Sequence, residues 1–400
     1  MDREKILTEL SIDTPSKIIL LVMDGLGGLP VEGKTALEAA HSPYLDRMAA
    51  ESSCGISDPV FPGITPGSGP AHLSLFGYDP TEYLLGRGIL EALGVGVDVS
   101  ANDMVARGNF ATLKDNLIVD RRAGRIPTSE NEKLCERINH FLQSREHTEI
   151  ELFPGKEHRF VVKFSSEGLS DVLSDADPQK ENNPIVYTKP LSPEARNTAL
   201  MVNSFLDDVT EFLKNSEPAN TILLRGFSKH PSLPSMQDLY KLKPAALANY
   251  PMYKGLAKLV GMEIIEVGPE IIDLFDRIEE IYAHYNFFYV HVKKTDSAGE
   301  DGNYEAKIAA IEETDAHIPR LLELNPEVLV VTSDHSTPCP LKSHSWHPNP
   351  FMLRSPTAMP DRITHFTERE CRQGYLGRFQ ALWAMPLMLA HAGKLKKFGA

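Results

Sequence analysis

The chain has 400 residues, of which 42% are hydrophobic and 24% charged, and a formal net charge of −14. That size and balance suit a globular protein with a sizeable core and room for two domains. The acidity argues against nucleic-acid and anionic-membrane partners, which would find no basic surface, but admits a small anionic substrate if bound divalent ions reverse the local field.

The start, Met1-Asp2-Arg3-Glu4-Lys5, is charged and no apolar run follows it, so it does not read as an export signal. The first strand is predicted over 17–23, and its apolar run Ile18-Ile19-Leu20-Leu21-Val22-Met23 stops at Asp24. Ser42 and Pro43 cap and open a helix through Met48. The segment from Pro70 can start another, whose free N–H groups favour an anion. Residues 107–220 read differently: a helix at 131–144, alternating strands near 149–153 and 159–164, and a polar loop at 174–184 expected to be exposed. A long helix follows from Ser192-Pro193, with Val202, Phe205, Leu206, Val209, Phe212 and Leu213 on one face.

Beyond it come a strand at 221–224, a helix from 252, a strand at 263–267 and a helix at 270–282. A strand at 287–292 leads to Asp296; a helix from 304 then precedes a strand at 328–332 that ends at Thr332-Ser333-Asp334-His335. The longest apolar stretch, 381–392, is too short to span a membrane and reads as a buried C-terminal helix. Alternating strands and helices predict an α/β fold with a mostly parallel sheet flanked by helices. The aspartates lie on both sides of 107–220, so the main domain is expected to be discontinuous, 1–106 with 221–400, and 107–220 to be a smaller inserted α+β domain. Cys54, Cys135, Cys339 and Cys371 are far apart and form no paired motif, which predicts reduced structural thiols in a cytoplasmic protein.

In a parallel sheet, ligands bind outside the carboxyl ends of the strands. Asp24, Asp296 and Asp334 delivered to one edge would repel strongly unless cations sat among them, so a metal site is the first expectation. Asp334-His335, with His344 and His347 close behind, offers mixed oxygen and nitrogen ligands. Asp296 and Glu300 stand at i, i+4, a spacing that shares a helical face, whereas Asp301 reads as part of a solvated turn. Ser68, among glycines in Gly67-Ser68-Gly69, is an exposed hydroxyl; it reads either as a helix cap or as a nucleophile activated by metal. Arg121, Arg122 and Arg125 crowd one turn, and Arg87, Arg107, Arg225 and Lys254 are isolated cations near strand ends or turns. Facing a metal cluster, such a set would suit a small phosphorylated acid.

Together these residues resemble the alkaline phosphatase superfamily, and closely the archaeal-type cofactor-independent phosphoglycerate mutases. The resemblance rests on M-D-G-x-G at 23–27, G-S-G-P-A-H-L-S-L-F-G-Y-D-P at 67–80, G-R-G-I-L-E-A-L-G at 86–94 and R-G-N-F-A-T at 107–112. It continues through D-R-R-A-G-R at 120–125, L-R-G at 224–226, P-M-Y-K-G-L-A at 251–257, K-K-T-D-x-A-G at 293–299, S-D-H-S-T-P at 333–338 and H-S-W-H-P at 344–348. It covers nearly the whole chain, in order. It implies an alkaline-phosphatase-like sheet domain with an inserted substrate-binding lid, and interconversion of 3- and 2-phosphoglycerate in glycolysis and gluconeogenesis. A metal-dependent phosphohydrolase or another phosphomutase on the same scaffold is the alternative.

The resemblance further implies Ser68 as a transiently phosphorylated nucleophile. Asp24, Asp334 and His335 would join it at one divalent metal, with Asp296 and His344 at a second. Manganese comes first, with magnesium, cobalt or zinc as alternatives, and no 2,3-bisphosphoglycerate is needed. Arg121, Arg122 and Arg125 would hold substrate, with Arg87, Arg107, Arg225 and Lys254 as further contacts, and closure of the two domains would exclude water. Glu300 stands where the superfamily often has histidine, and His347 where an acidic residue is usual; both stay open as further ligands, and the oxygen of Glu300 favours manganese or magnesium over zinc. Whether copies of the chain form a homo-oligomer is left open by the sequence.

Overall fold

Six consecutive apolar residues, Ile18–Met23, form strand β1, and every one of them is buried. A strand covered on both faces belongs at the centre of a sheet, and β1 lies there. The computed structural model describes residues 3–145 and 149–399; Met1 and Asp2, at the head of the charged start, lie outside them. Chain order continues with β2 (Ser53–Asp58), β3 (Asp103–Lys114), β4 (Leu117–Asp120), β5 (Ile150–Pro154), β6 (Arg159–Ser165) and β7 (Asn183–Pro184). Then come β8 (Thr221–Lys229), β9 (Pro244–Leu247), β10 (Glu263–Ile265), β11 (Phe287–Val292), β12 (Val328–Thr332), β13 (Asn349–Arg354) and β14 (Gly377–Gln380).

The chain divides into two compact units, Met1–Leu84 with Leu233–Ala400, and Leu85–Ser232. The first holds an eight-stranded sheet in the order β10-β9-β11-β1-β12-β13-β2-β14. Its strands run parallel from β10 to β12; β13 is antiparallel to both neighbours, and β14 is parallel to β2. Ile19, Leu21 and Met23 pack with Leu45 and Met48 of helix Pro43–Ala50, Phe275 and Ile278 of helix Ile271–Ile281, and Ile311 of helix Tyr304–Asp315. Each such side chain contributes about 1.5–3 kcal/mol by leaving water, which holds the strand ends in place.

Register then sets the site. Met23 lies opposite Val292, and Val22 opposite Thr332. The residues that follow, Asp24, Lys293 and Ser333-Asp334, therefore leave the sheet side by side at its carboxyl edge. The helix expected from Pro70 begins two residues earlier, as Ser68–Leu75, with Gly67 as its N-cap.

The second unit is α+β. Its six-stranded antiparallel sheet runs β5-β6-β3-β4-β7, with β8 on the free side of β3. Helix Thr128–Ser144 contributes Leu134, Ile138 and Leu142 to its core, and helix Arg196–Leu213 contributes Val202, Phe205, Leu206, Val209 and Leu213. Phe212 is only partly buried and stacks on Phe141, ring centroids 4.4 Å apart. The unit is wider than 107–220 because helix Arg87–Gly94 sits directly on β3 and β8: a Cβ on Gly88 would lie 2.4 Å from the Gly226 carbonyl and 2.6 Å from that of Val105. The loop at 174–184 is exposed only in part, since Ala176 and Asp177 are buried; Asp177 turns inward to accept a bidentate hydrogen bond from Arg121. All four cysteines are free and buried, and among the described residues no helix is long and apolar enough to cross a membrane.

Candidate active site

Among the described residues, two groups of side chains could hold a metal ion, Asp24 with Asp334 and His335, and Asp296 with His335 and His344. Within each group the ligand atoms lie within 4.8 Å of one another, and His335 belongs to both. His335 Nε2 stands 3.3 Å from Asp24 Oδ1 and 3.1 Å from Asp334 Oδ2. Those two oxygens are buried and have no hydrogen-bond partner. Buried carboxylate oxygens without donors are costly, so a donor set of this kind fits a divalent cation. The second group is looser: His344 Nε2 is 3.8 Å from Asp296 Oδ1 and 3.7 Å from Glu300 Oε1, and His335 Nδ1 is 3.9 Å from Asp296 Oδ1. His344 Nδ1 lies 3.1 Å from the Pro66 carbonyl, a pairing that leaves Nε2 as the free lone pair. The His335 and His344 rings stack at 3.6 Å.

Ser68 is the first residue of its helix and is not used as a cap. Its Oγ stands 3.4 Å from His335 Nε2 and accepts from the Tyr253 hydroxyl at 3.4 Å. Lys293 Nζ donates to Asp296 Oδ2 at 2.5 Å, Asp24 Oδ2 at 3.1 Å and the Tyr253 oxygen at 3.2 Å. Behind the site His291 Nε2 approaches Asp24 Oδ2 at 3.2 Å, and His72 Nδ1 approaches Asp334 Oδ2 at 3.3 Å. Of the other expected ligands, Glu300 lies beside the second group with its side chain half exposed, and His347 belongs to neither group, its Nδ1 paired with Ser345 Oγ at 3.0 Å.

The buried charges of the site are in electrostatic tension. Burial alone would raise the Asp24 carboxyl, but His291, His335 and Lys293 hold it well below the usual range. Burial and the charges of Asp24 and Asp296 push Asp334 well above that range. Two carboxylates driven apart in one cluster mark a shortage of positive charge. Burial lowers His335 to about 4, so its ring is neutral and free to ligate at ordinary pH. Burial raises the Tyr253 hydroxyl, with Asp24 and Asp334 adding to the effect, so it stays a hydrogen-bond donor.

The second unit carries a cavity of about 280 Å³ lined by Arg107, Asn109, Arg121, Arg122, Arg125, His158, Arg159 and Arg225. Strand register creates it: Arg107 on β3 lies directly opposite Arg225 on β8, and Asn109 opposite Arg159 on β6. Like charges paired across a ladder are destabilising unless something negative joins them. Asp177 neutralises part of the set, bonding Arg121 and lying 3.4 Å from Arg225 Nε. Arg107 Nε, Arg159 Nε, Asn109 Oδ1 and His158 Nδ1 are buried with no hydrogen-bond partner. The Asp120 carboxylate shapes the arginine turn by accepting from the N–H groups of Arg122 and Gly124 at 2.7 and 2.6 Å. Ala123, Gly124 and Arg125 all take positive φ there, 45°, 62° and 53°, a strain typical of functional turns. Burial, and then Arg159, lower His158 to about 4. The lining has the chemistry to receive a small anion bearing carboxylate or phosphate groups.

Of the cations expected at substrate, Arg107, Arg121, Arg122, Arg125 and Arg225 line this cavity, and Arg87 lies beside Arg107 without lining it. Lys254 sits in the other unit, paired with Glu266 at 2.7 Å. Sequence reasoning missed Tyr253, Lys293, His72, His291, Asn109, His158 and Arg159. Tyr253, Lys293, His72 and Asn109 lie inside the motifs that carry the resemblance, whereas His291, His158 and Arg159 lie in none of them.

A family model described as 2,3-bisphosphoglycerate-independent phosphoglycerate mutase matches residues 49–220. A Thermosipho africanus protein named a probable 2,3-bisphosphoglycerate-independent phosphoglycerate mutase is 55% identical over 401 residues, 100% of each chain. A Thermus thermophilus protein of the same name is 50% identical over 406 residues, again 100% of each. The solved structure of a cofactor-independent phosphoglycerate mutase from Thermoplasma acidophilum is similar with a TM-score of 0.79 and 31% identity, over 94% of this chain and 100% of that one. A Pyrococcus horikoshii protein of known structure gives a TM-score of 0.79 at 29% identity, over 97% of this chain and 100% of its own. With identity above half along its full length, the chain belongs to the family of 2,3-bisphosphoglycerate-independent phosphoglycerate mutases, which are isomerases.

Proposed function

We propose that the chain interconverts 3-phosphoglycerate and 2-phosphoglycerate through a phosphoserine at Ser68, as a cytoplasmic step of glycolysis and gluconeogenesis. The observation that carries this reading is the convergence of two ligand groups, sharing His335, on a serine hydroxyl that no cap uses. Asp24, Asp334, His335 and Ser68 would hold one divalent ion; Asp296 and His344, with Glu300 nearby, would hold the other. Carboxylates and imidazoles in this ratio suit manganese. When bound, such ions favour the ionised serine and stabilise charge on the entering and leaving oxygens.

The chain's own residues do the rest. The arginine cavity takes the substrate's anionic groups. Ser68 Oγ gives up its proton and bonds to phosphorus as the bond from phosphorus to O3 breaks, and O3 leaves as a hydroxyl. Glycerate then presents O2, which loses its proton and bonds to phosphorus as the bond from phosphorus to Ser68 Oγ breaks, and Oγ is reprotonated. Tyr253 holds Oγ through its hydroxyl, while Lys293 keeps the carboxylates of Asp24 and Asp296 aimed inward.

Incubating the protein with manganese and 3-phosphoglycerate tests this. The expected result is 2-phosphoglycerate without free phosphate, lost on chelation and in Ser68→Ala. Free phosphate without 2-phosphoglycerate would reject the mutase reading, and full activity of Ser68→Ala would reject the phosphoserine.

A further inference from the structure

Lys307 lies on helix Tyr304–Asp315 with no solvent exposure at all, an unusual place for a lysine. Glu368, Asp296 and Asp24 act on it only at a distance, and among the described residues no carboxylate is paired with it. Its Nζ donates to three backbone carbonyls, Gly25 at 2.7 Å, Gly27 at 3.2 Å and Thr337 at 2.9 Å. All three ammonium protons are thereby used. These carbonyls belong to two different loops. Gly25 and Gly27 follow Asp24 at the end of β1, and Thr337 follows Asp334-His335 at the end of β12.

The loops are already pressed together. Thr337 N donates to the Gly25 and Gly27 carbonyls at 3.2 and 3.0 Å, Leu26 N to Ser333 Oγ at 2.9 Å, and Gly25 N to Asp334 Oδ1 at 3.2 Å. Gly25 has φ +63°, and a Cβ there would lie 2.6 Å from both Asp296 Oδ1 and Thr337 Oγ1; one on Gly27 would lie 2.0 Å from Ser336 Oγ. Thr337 also donates its hydroxyl proton to Asp296 Oδ1 at 2.5 Å, so the same clamp reaches the second ligand group. Carbonyls pointed at one another repel, and a buried cation between them removes that repulsion.

We infer that Lys307 is a positioning residue for the metal centre: its ammonium pins the loops carrying Asp24, Asp334 and His335 in ligand geometry before any ion arrives. Its ammonium bonds the backbone of the loops rather than the ligand side chains. Preorganising the loops removes an ordering cost that the ion would otherwise meet, and loss of such outer partners typically weakens metal affinity by about 10–100-fold. The inference rests on the metal reading proposed above.

The test titrates manganese into the chelator-stripped full chain by calorimetry, beside thermal unfolding of the stripped protein. Lys307→Met keeps the stem and removes the donors. Lys394→Met is the control: Lys394 is equally buried and also bonds backbone, through the Thr14 carbonyl at 2.7 Å, but serves no ligand loop. Lys307→Met should lower affinity for manganese by about 10–100-fold, with Lys394→Met changing the unfolding temperature alone. Should Lys307→Met fail to fold, Lys307→Gln, which retains donors, is read instead and should show a smaller loss of affinity. Unchanged affinity in the Lys307 variant, or equal losses in both lysine variants, overturns the inference. If the unmodified chain binds no manganese, the metal reading itself falls and takes this inference with it.

Discussion

Tyr253 and Lys254 are chain neighbours that face different ways. On a helix consecutive side chains diverge by about 100°, and here Tyr253 turns inward to Ser68 while Lys254 turns out to Glu266. The Tyr253 ring stacks on His291 at 3.8 Å and needs no hydroxyl to stay there. Tyr253→Phe should therefore keep the fold and manganese affinity but lower kcat about five- to tenfold, the worth of one hydrogen bond of about 1 kcal/mol; steady-state kinetics would check it, and an unchanged kcat would remove Tyr253 from the proposed chemistry. In the motif P-M-Y-K-G the cation suggests an anion nearby, whereas a tyrosine on an amphipathic helix reads as core. Asp24, Asp334 and His335 were legible for the opposite reason: a charged residue that ends an apolar strand has few structural explanations. Lys307 was invisible, since a lysine among alanines and isoleucines looks like the solvent side of a helix until its neighbours are known.

Helix Lys294–Asp301 shows what local geometry adds to such residues. It places Asp296 in its first turn, fully buried, and Glu300 one turn later with its carboxylate 3.7 Å from His344 Nε2. The i, i+4 spacing was readable from sequence, and so was the exposed position of Asp301 near the helix end. Burial together with Asp296 raises the Glu300 carboxyl, as expected for an acid facing another with too few cations between them. Replacing that carboxylate by imidazole should change metal preference more than fold. Glu300→His is expected to bind zinc or cobalt more tightly relative to manganese, by about tenfold or more, as nitrogen donors favour those ions. Competition titrations would measure it; an unchanged preference would place Glu300 outside the coordination sphere. The arginine cavity has a different origin, in the pairing of β3 with β6 and β8. Register across 50 to 120 residues of chain cannot be read from motifs, so in the sequence Arg107 and Arg225 read as isolated cations and Arg159 has no motif around it.

At the scale of the whole molecule, charge is separated rather than balanced. A chain of net charge −14 gathers six arginines around one cavity in the second unit, and three buried aspartates around two ligand groups in the first. The strand and helix alternation made the central strands of the first unit's sheet legible, but β2 and the edge strand β14 lack a distinctive apolar run. The insertion's outer limits were hidden too, because helix Arg87–Gly94 belongs to the second unit through the close approach of Gly88, not through any pattern of its own. Each unit has its own core and its own cluster of like charges only partly paired, so each should respond to its own ligand. A ligand that binds only the folded form stabilises by an amount set by its concentration over Kd, about 2.7 kcal/mol at a hundredfold excess. Hydrogen exchange read by mass spectrometry separates the two responses. Manganese alone should slow exchange in the loops at 24–28 and 333–337, where carboxylates lose their repulsion. With metal chelated, 3-phosphoglycerate should slow exchange at 107–125 and 156–160, where it would join arginines that now face one another across the strands. If the acid protects nothing without metal, the arginine cavity is not a binding site in its own right; if it protects while Arg107→Met abolishes the effect, the opposed pair Arg107 and Arg225 is what the anion neutralises.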